Sequence, residues 1–345
     1  MFDYKALHLF WFITVVTLKL KIIFTIITLI CLLGPASSVL ASHINDNAIK
    51  VVYITDLNLF HTPSQTQINK SNLENQFGIL LYESQAVFQE LVKNINQKIS
   101  PDIVIFGGNN IALEQTDNNL WQLFLDIVSE IKSDVFVNLG ANELKTFNSD
   151  ELVTSLSSFD GDRKVTWHSK KIKNFLFIGL DSVSLMNNAK MSSKQINWLT
   201  NILAKNKKTL TVITLYDPLL KEDGSIINNK IVKKITSIIA KNPQIKLVVF
   251  GGTYRNRSKI INNCLYLAAS SPVVYPCSFK SIELIPGKIK VRTLTIPLKG
   301  VVKKALKSAE DAECFKSKVG SGAIKSYLSG NRSDREYDYV FPIDF

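Results

Sequence analysis

The sequence predicts an α/β protein with a sheet of parallel strands and a second, more antiparallel sheet. From residue 49 onward, short runs of β-branched and aromatic residues alternate with segments of helical apolar spacing. The first three such runs are separated by two helical segments, a pattern that demands parallel pairing with right-handed crossovers. The loops that follow the runs are TDLNLFH, GGNN, GANE, YDP and GGTYRN, rich in the residues that turn a chain sharply.

Taken in order, IKVVYITDL reads as a buried strand, and residues 71–98 read as one helix with Leu80, Leu81, Val87, Leu91 and Ile95 toward a core. PDIVIF is a second buried strand, Leu120 to Ile131 an amphipathic helix, and DVFVNLG a third strand. KVTWHS and KNFLFIGLDS are strands, KQINWLTNILAK is a helix, and TLTVITL, a helix at 226–241 and IKLVVF continue the alternation. CLYLAAS, FKSIELI and IKVRTLTI are expected to build a second, more antiparallel sheet. VKKALKSAEDAECFKSK reads as a polar helix, and the tail from Lys325 as an extended strap. The expected organisation is a leader at 1–41, a domain at 48–298 and a C-terminal helix and tail at 299–345.

The leader stands apart from the body in composition. Lys19 and Lys21 precede the apolar run IIFTIITLICLLG, and Pro35 and SSVLAS follow, with Val39 and Ala41 suited to signal peptidase. The uninterrupted apolar run is about 13 residues, short of the roughly 20 a spanning helix needs. The segment therefore reads as a signal peptide, with an uncleaved membrane anchor as the alternative. Either places the body outside the cytoplasm, exported to a periplasm, lumen or cell surface.

The chain has 345 residues, 46% of them hydrophobic and 20% charged, with a formal charge of +12, an ordinary globular composition. The lysines are scattered singly. No basic stripe with interleaved aromatics grips nucleic acid, so that partner class is set aside. The expected partners are a protein or an anionic small molecule, with membrane association through the N-terminus. Besides Cys31 in the leader, the body holds Cys264, Cys277 and Cys314. An odd number implies no disulfide framework, and these residues are expected in or near the core.

Loops at the C-terminal ends of parallel strands are where α/β folds place their chemistry, so the five loops are expected to converge on one crevice. They offer Asp56-Leu57-Asn58, Gly108-Asn109, Gly140-Ala141-Asn142-Glu143, Tyr216-Asp217-Pro218 and Gly252-Thr253-Tyr254-Arg255. In order and spacing this resembles the calcineurin-like metallophosphoesterases. That family carries Asp-x-His, Gly-Asp, Gly-Asn-His-Glu/Asp, a His two before a Pro, and Gly-His-x-His at these places. The resemblance covers residues 50–285 and implies the family's fold, two face-to-face mixed sheets flanked by helices. It also implies a pair of divalent ions clamped by a bridging carboxylate and imidazoles.

Almost every ligand position departs from the pattern. Asp56 is intact, but the bridging carboxylate is Asn109, and the first histidine is Asn58. Ala141 replaces the family's Asn and Asn142 its leaving-group acid, while Tyr216, Thr253 and Arg255 replace the last three histidines. None of His8, His43, His61 and His168 falls on a ligand position, although His61 lies close to the first motif. No metal cofactor and no catalytic residue are expected. The candidate binding positions are Asp56, Asn58, Asn109, Asn142, Tyr216, Asp217, Thr253 and Arg255, and Glu143 is expected to orient its loop.

The resemblance points to a catalytically inactive member acting as a binding or scaffold domain. One alternative is an active metal-dependent phosphoesterase with a site rearranged around Asp56 and Asp217. Another is a phosphate or nucleotide sensor that uses the crevice amides and the backbone N–H groups of Gly107, Gly108, Gly251 and Gly252. The expectation for Arg255 is a pairing with Asp56 or Asp217.

Overall fold

A computed structural model describes residues 48–61, 72–113, 118–161, 163–183 and 191–342. The expected leader, with Lys19, Lys21, Cys31, Ala41, His8 and His43, lies outside these residues. The chain divides into Met1–Ala48 and Ile49–Phe345, and the second unit carries the fold and includes the residues beyond 298.

The strands are β1 (Ile49–Ile54), β2 (Ile103–Phe106), β3 (Asp134–Val137), β4 (His168–Ile172), β5 (Phe175–Leu180), β6 (Leu210–Leu215), β7 (Ile245–Phe250), β8 (Arg257–Ile261), β9 (Cys264–Ala268), β10 (Ser278–Ile285), β11 (Lys288–Thr295) and β12 (Glu336–Val340). The helices are α1 (Asn72–Phe77), α2 (Ser84–Asn94), α3 (Asn118–Ser129), α4 (Ala141–Thr146), α5 (Ser149–Ser155), α6 (Ser157–Asp160), α7 (Ser193–Lys205), α8 (Lys230–Ala240), α9 (Lys299–Asp311), α10 (Glu313–Val319), α11 (Ile324–Ser329) and α12 (Arg332–Arg335).

One six-stranded sheet has the order β12-β11-β10-β1-β2-β3, the other β4-β5-β6-β7-β9-β8. In the first, β1, β2 and β3 run parallel and β10 joins β1 antiparallel. In the second, β5, β6, β7 and β9 are parallel, with β4 and β8 as antiparallel edges. The two sheets lie face to face and are flanked by helices, as the resemblance implies.

Side-chain alternation along each strand decides the layers. Val51, Tyr53, Ile105 and Phe136 of the first sheet meet Phe177, Val212, Val249 and Leu267 of the second in a core between them. The other faces of the strands pack on helices. Val52, Ile54, Val104 and Phe106 meet Phe88, Leu91 and Phe124, and on the far side Ile178, Ile213 and Val248 meet Leu199, Leu203 and Ile235. Strands buried on both faces read as continuous apolar runs, which is why the sequence marks them so plainly.

Three expectations are corrected. The single helix over 71–98 is broken into α1, a 3-10 turn at Leu81–Glu83, α2 and a π-helical turn at Ile95–Ile99. Gly78 causes the first break: its φ is +66°, and a Cβ there would stand 3.0 Å from the Ala309 Cα of α9. The predicted core residues Leu80, Leu81, Val87, Leu91 and Ile95 are nonetheless all buried. The expected C-terminal helix likewise divides at Ala312, which is extended and buried between α9 and α10.

The late strands do not form a sheet of their own. β9 extends the second sheet beside β7, while β10 and β11 extend the first beside β1. Two edge strands were not foreseen. β8 is RSKII, half-exposed along its length, and β12 is EYDYV within the expected strap. Neither carries the apolar signal of a buried strand.

Cys264 and Cys277 are buried, Cys314 is half-buried, and all three are free thiols. Among the described residues no helix is long and apolar enough to cross a membrane.

Candidate functional site

The parallel strands of both sheets end on one side, and the five loops meet there. The Asp56 backbone N donates to Gly108 O at 3.0 Å, Asn58 N to Asn109 O at 2.9 Å, and Gly252 N to Asp56 Oδ2 at 2.9 Å. Loops separated by up to 196 residues are thus in direct hydrogen-bond contact. Small residues make this approach feasible. Gly108 has φ +105°, and a Cβ on it would lie 2.9 Å from the Gly140 Cα and 3.0 Å from the Tyr216 ring. Left-handed backbone recurs at the motif positions: Asp56, Asn58, Asn109 and Tyr254 have φ of 53°, 46°, 50° and 56°. Asp and Asn tolerate this region, whereas a tyrosine there is strained by about 1–3 kcal/mol.

Glu143 holds the frame. Its carboxylate accepts from Gly140 N at 2.6 Å, Ile111 N at 3.0 Å and Asn109 N at 3.1 Å, tying the second loop to the third. The expected orienting role is what the geometry shows. Burial raises the Glu143 carboxyl above its ordinary value, and the backbone donors oppose that rise.

The former ligand positions hydrogen-bond one another. The Asn109 side-chain amide donates to the Tyr216 hydroxyl, and Asn109 Oδ1 accepts from Asn142 N at 3.0 Å. Asn142 Nδ2 donates to Ile111 O at 2.8 Å and to Asn58 Oδ1 at 3.2 Å, and Asn58 Nδ2 donates to Asp56 O at 2.9 Å. These side chains, together with backbone groups of Asp56, Ile111 and Asn142, form a continuous polar mesh.

Asp56 sits at the centre, wholly buried. Its Oδ2 accepts from Gly252 N and from Thr55 Oγ1 at 3.1 Å, while Oδ1 is buried with no hydrogen-bond partner among the described residues. Burial pushes its pKa up to about 7, and the Gly252 and Thr55 donors pull against that. Close to neutral pH this carboxyl is therefore partly protonated.

Other predicted positions fall at the edge or outside. Asp217 is buried, and its backbone N donates to Ser182 Oγ at 2.8 Å. Thr253 Oγ1 turns back within its own loop, accepting from Arg255 N at 3.4 Å. His61 is exposed beside α3, and His168 is a core residue stacked on Phe136 at 4.0 Å between ring centroids.

Arg255 overturns its expected pairing with Asp56 or Asp217. It points out of the crevice, donates from Nε to Tyr327 O at 3.0 Å, and lays its guanidinium 3.6 Å over the Tyr327 ring. Glu222 is its neighbouring carboxylate, 3.9 Å from Nη1. The next residue is joined to the same segment, Asn256 N donating to Leu328 O at 3.2 Å. In place of Arg255, Tyr254 enters from the fifth loop, close enough to Asp56 that burial and the Asp56 charge raise its hydroxyl pKa. Nothing in the sequence marks Tyr254 as the inward residue, because a bulky side chain at positive φ breaks the ordinary pattern.

The donor set does not fit a pair of divalent ions. Two adjacent dications need bridging negative charge and several strong donors. The crevice offers Asp56, while both Glu143 oxygens are committed to backbone N–H groups. Among the described residues no group of three or more His, Cys, Asp and Glu side chains is gathered as ligands.

This fold and this loop arrangement define the class: the chain has the calcineurin-like metallophosphoesterase fold. Its architecture is similar to a dimetal phosphatase from Danio rerio, with a TM-score of 0.57 and 13% identity over 72% of this chain and 98% of that one. It is also similar to GAP50, the anchor in the inner membrane complex of Plasmodium, with a TM-score of 0.48 and 12% identity over 82% and 95% of the two chains. A third similar structure is the purple acid phosphatase PPD1 from yellow lupin seeds, with a TM-score of 0.47 and 11% identity over 72% of this chain and 51% of that one. No family model matches the sequence, and no curated protein matches it. Where the resembled family's pattern has metal ligands, this chain carries Asn58, Asn109, Asn142, Tyr216, Thr253 and Arg255 beside Asp56.

Proposed function

We propose that this chain is a catalytically inactive phosphoesterase-fold protein that serves as a binding or scaffold domain outside the cytoplasm. The observation that carries the reading is the mesh Asp56–Asn58–Asn142–Asn109–Tyr216, in which the side chains of Asn58, Asn109, Asn142 and Tyr216 are tied to one another and to the backbone of Asp56 and Asn142. Opening that mesh to admit ions would leave several buried polar groups unpaired, each at about 1–3 kcal/mol. The placement outside the cytoplasm draws on Lys19, Lys21 and the apolar run that follows them. Mass spectrometry of protein from its native host tests that placement. An N-terminus near Ser42 or membrane retention is expected, and a soluble full-length cytoplasmic product contradicts it.

The hydrolytic rival rests on Asp56 Oδ1, a buried oxygen that a single cation could use. A proton serves that oxygen equally well, since the carboxyl titrates close to neutrality. The purified body is to be assayed on phosphomonoesters and diesters with Mn²⁺, Mg²⁺ and Zn²⁺, alongside metal analysis. No metal-dependent turnover is expected. Turnover that rises with metal and disappears in Asp56→Ala would overturn the proposal.

A further inference from the structure

Next to the crevice, and separated from it by Tyr254, lies a groove of about 570 Å³ between the fourth and fifth loops and the C-terminal helices α10 and α11. Its floor is apolar, made by Pro218, Leu220, Ile227, Phe250 and Phe315, and Cys314 lines one wall. Its lining side chains also include Lys221, Arg255, Arg257 and Lys318, against the single carboxylate of Glu222. An apolar body of this size with an excess of cationic groups at the rim is the make-up of a small-molecule site.

Glu222 shows what the rim attracts. Its side chain is 60% exposed, yet it accepts from Lys318 Nζ at 3.0 Å and from Tyr327 Oη at 2.9 Å, with Arg255 Nη1 at 3.9 Å. Two donors and a neighbouring guanidinium, from two separate parts of the chain, thus converge on one carboxylate. The Lys318 and Tyr327 hydrogen bonds hold that carboxyl below its ordinary value. A third cation, Arg257, donates to the Glu222 backbone carbonyl.

We infer that this groove binds an amphipathic monoanion, a carboxylate carried on an acyl or aryl body. The body would lie on Leu220, Ile227, Phe250 and Phe315, and the head group would take the donors that Glu222 now holds. This rests on the reading of the chain as a binding domain, but it does not depend on the crevice being inactive.

The test is calorimetry with decanoate below its micellar concentration, with decanol and decyltrimethylammonium as neutral and cationic controls of equal length. Saturable one-to-one binding of decanoate is expected, with the cation at least tenfold weaker, roughly the effect of one well-placed charge. Glu222→Gln, a surface change that leaves the fold intact, frees the donors and should tighten decanoate by about threefold. Cys314→Trp fills the groove and should abolish binding in protein whose circular dichroism is unchanged. Failure of decanoate to bind, equal binding of the cation, or no tightening in Glu222→Gln would each overturn the inference. Metal-dependent hydrolysis, which would defeat the inactive reading, is read in a separate assay and leaves this one unaffected.

Discussion

Arg255 stacks on Tyr327 and donates to that residue's carbonyl, so the loop that carries two metal ligands in the enzyme family here fastens the C-terminal segment. The guanidinium is half-buried, and burial holds its pKa below the ordinary value without discharging it. In this chain the fifth loop is a structural joint.

Arg255→Ala should therefore destabilise the protein by about 1–3 kcal/mol, from the lost cation–π contact and the carbonyl left without its donor. Hydrogen exchange should quicken at 324–329 while β1 and β2 remain protected. A double-mutant cycle adds a sharper reading. Arg255 and Asp56 share no contact, so their coupling should be below about 0.5 kcal/mol. A larger coupling would restore the Arg–Asp pairing that the sequence suggested.

Asp56 makes a pH-dependent contribution whose sign follows from its raised pKa. The unfolded carboxyl titrates near 3.8 and the folded one near about 7. Between these values the folded state binds more protons, so this contribution is fully present at low pH and is lost as pH rises through about 7. Asp56→Asn keeps the shape and removes the charge. It should raise Tm at pH 8, change it little at pH 3.5, and flatten the stability profile between. The gain at pH 8 is on the order of 2–4 kcal/mol. A variant less stable than the parent at pH 8 would show that the ionised carboxylate is held by something other than these contacts.

Lys280 works in the opposite direction. It is fully buried in β10, with Nζ donating to Thr293 Oγ1 at 2.7 Å and to Asp334 O at 2.9 Å, and burial lowers its pKa to about 7. Between about 7 and 10.5 the unfolded chain binds the proton that the folded one sheds. Stability from this group therefore rises with pH across that window and is lowest below it. Lys280→Met should stabilise the protein at pH 6 more than at pH 9.5, read as the difference in Tm.

Introducing the carboxylate of the family's pattern at position 109 should not create a metal site. In Asn109→Asp the new carboxylate would sit beside Glu143, whose Oε2 accepts from the backbone N of residue 109 at 3.1 Å, and near buried Asp56. It would also lose the amide that donates to Tyr216. A loss of about 2–4 kcal/mol is expected from uncompensated buried charge, with no recovery of Tm on adding Mn²⁺. Recovery with metal would show that a single carboxylate suffices to reopen the centre.

The fold was legible because its strands are buried on both faces and because chain order brings five turn-rich loops to one side. Asp56, Asn109 and Asn142 could be placed from the resemblance of their loops to the family's motifs, and Glu143 from the same match. The direction of each side chain in the fifth loop could not be read. At φ 56° Tyr254 turns inward, and Arg255 turns to a helix about 70 residues further on. Long-range partners such as Tyr327, Glu222 and Lys318 leave no local signal, since each sits in an exposed polar stretch. Strand allegiance was hidden for a related reason: periodicity tells that CLYLA and FKSIELI are strands, but not which sheet edge each will find.

The pairing of β1 with β10 sets Ile49 opposite Leu284, joining the start of the folded unit to a strand near its end. The middle of the first sheet therefore has no partner on one side until most of the polypeptide has been synthesised. Loop-closure entropy over such a span makes late, slow assembly the rule. While the chain is nascent, β1 is an apolar strand with an open edge, prone to pair with the wrong neighbour. Chain synthesis and final folding are thus separated in time, and truncation before residue 285 should leave a product that aggregates rather than a smaller folded domain.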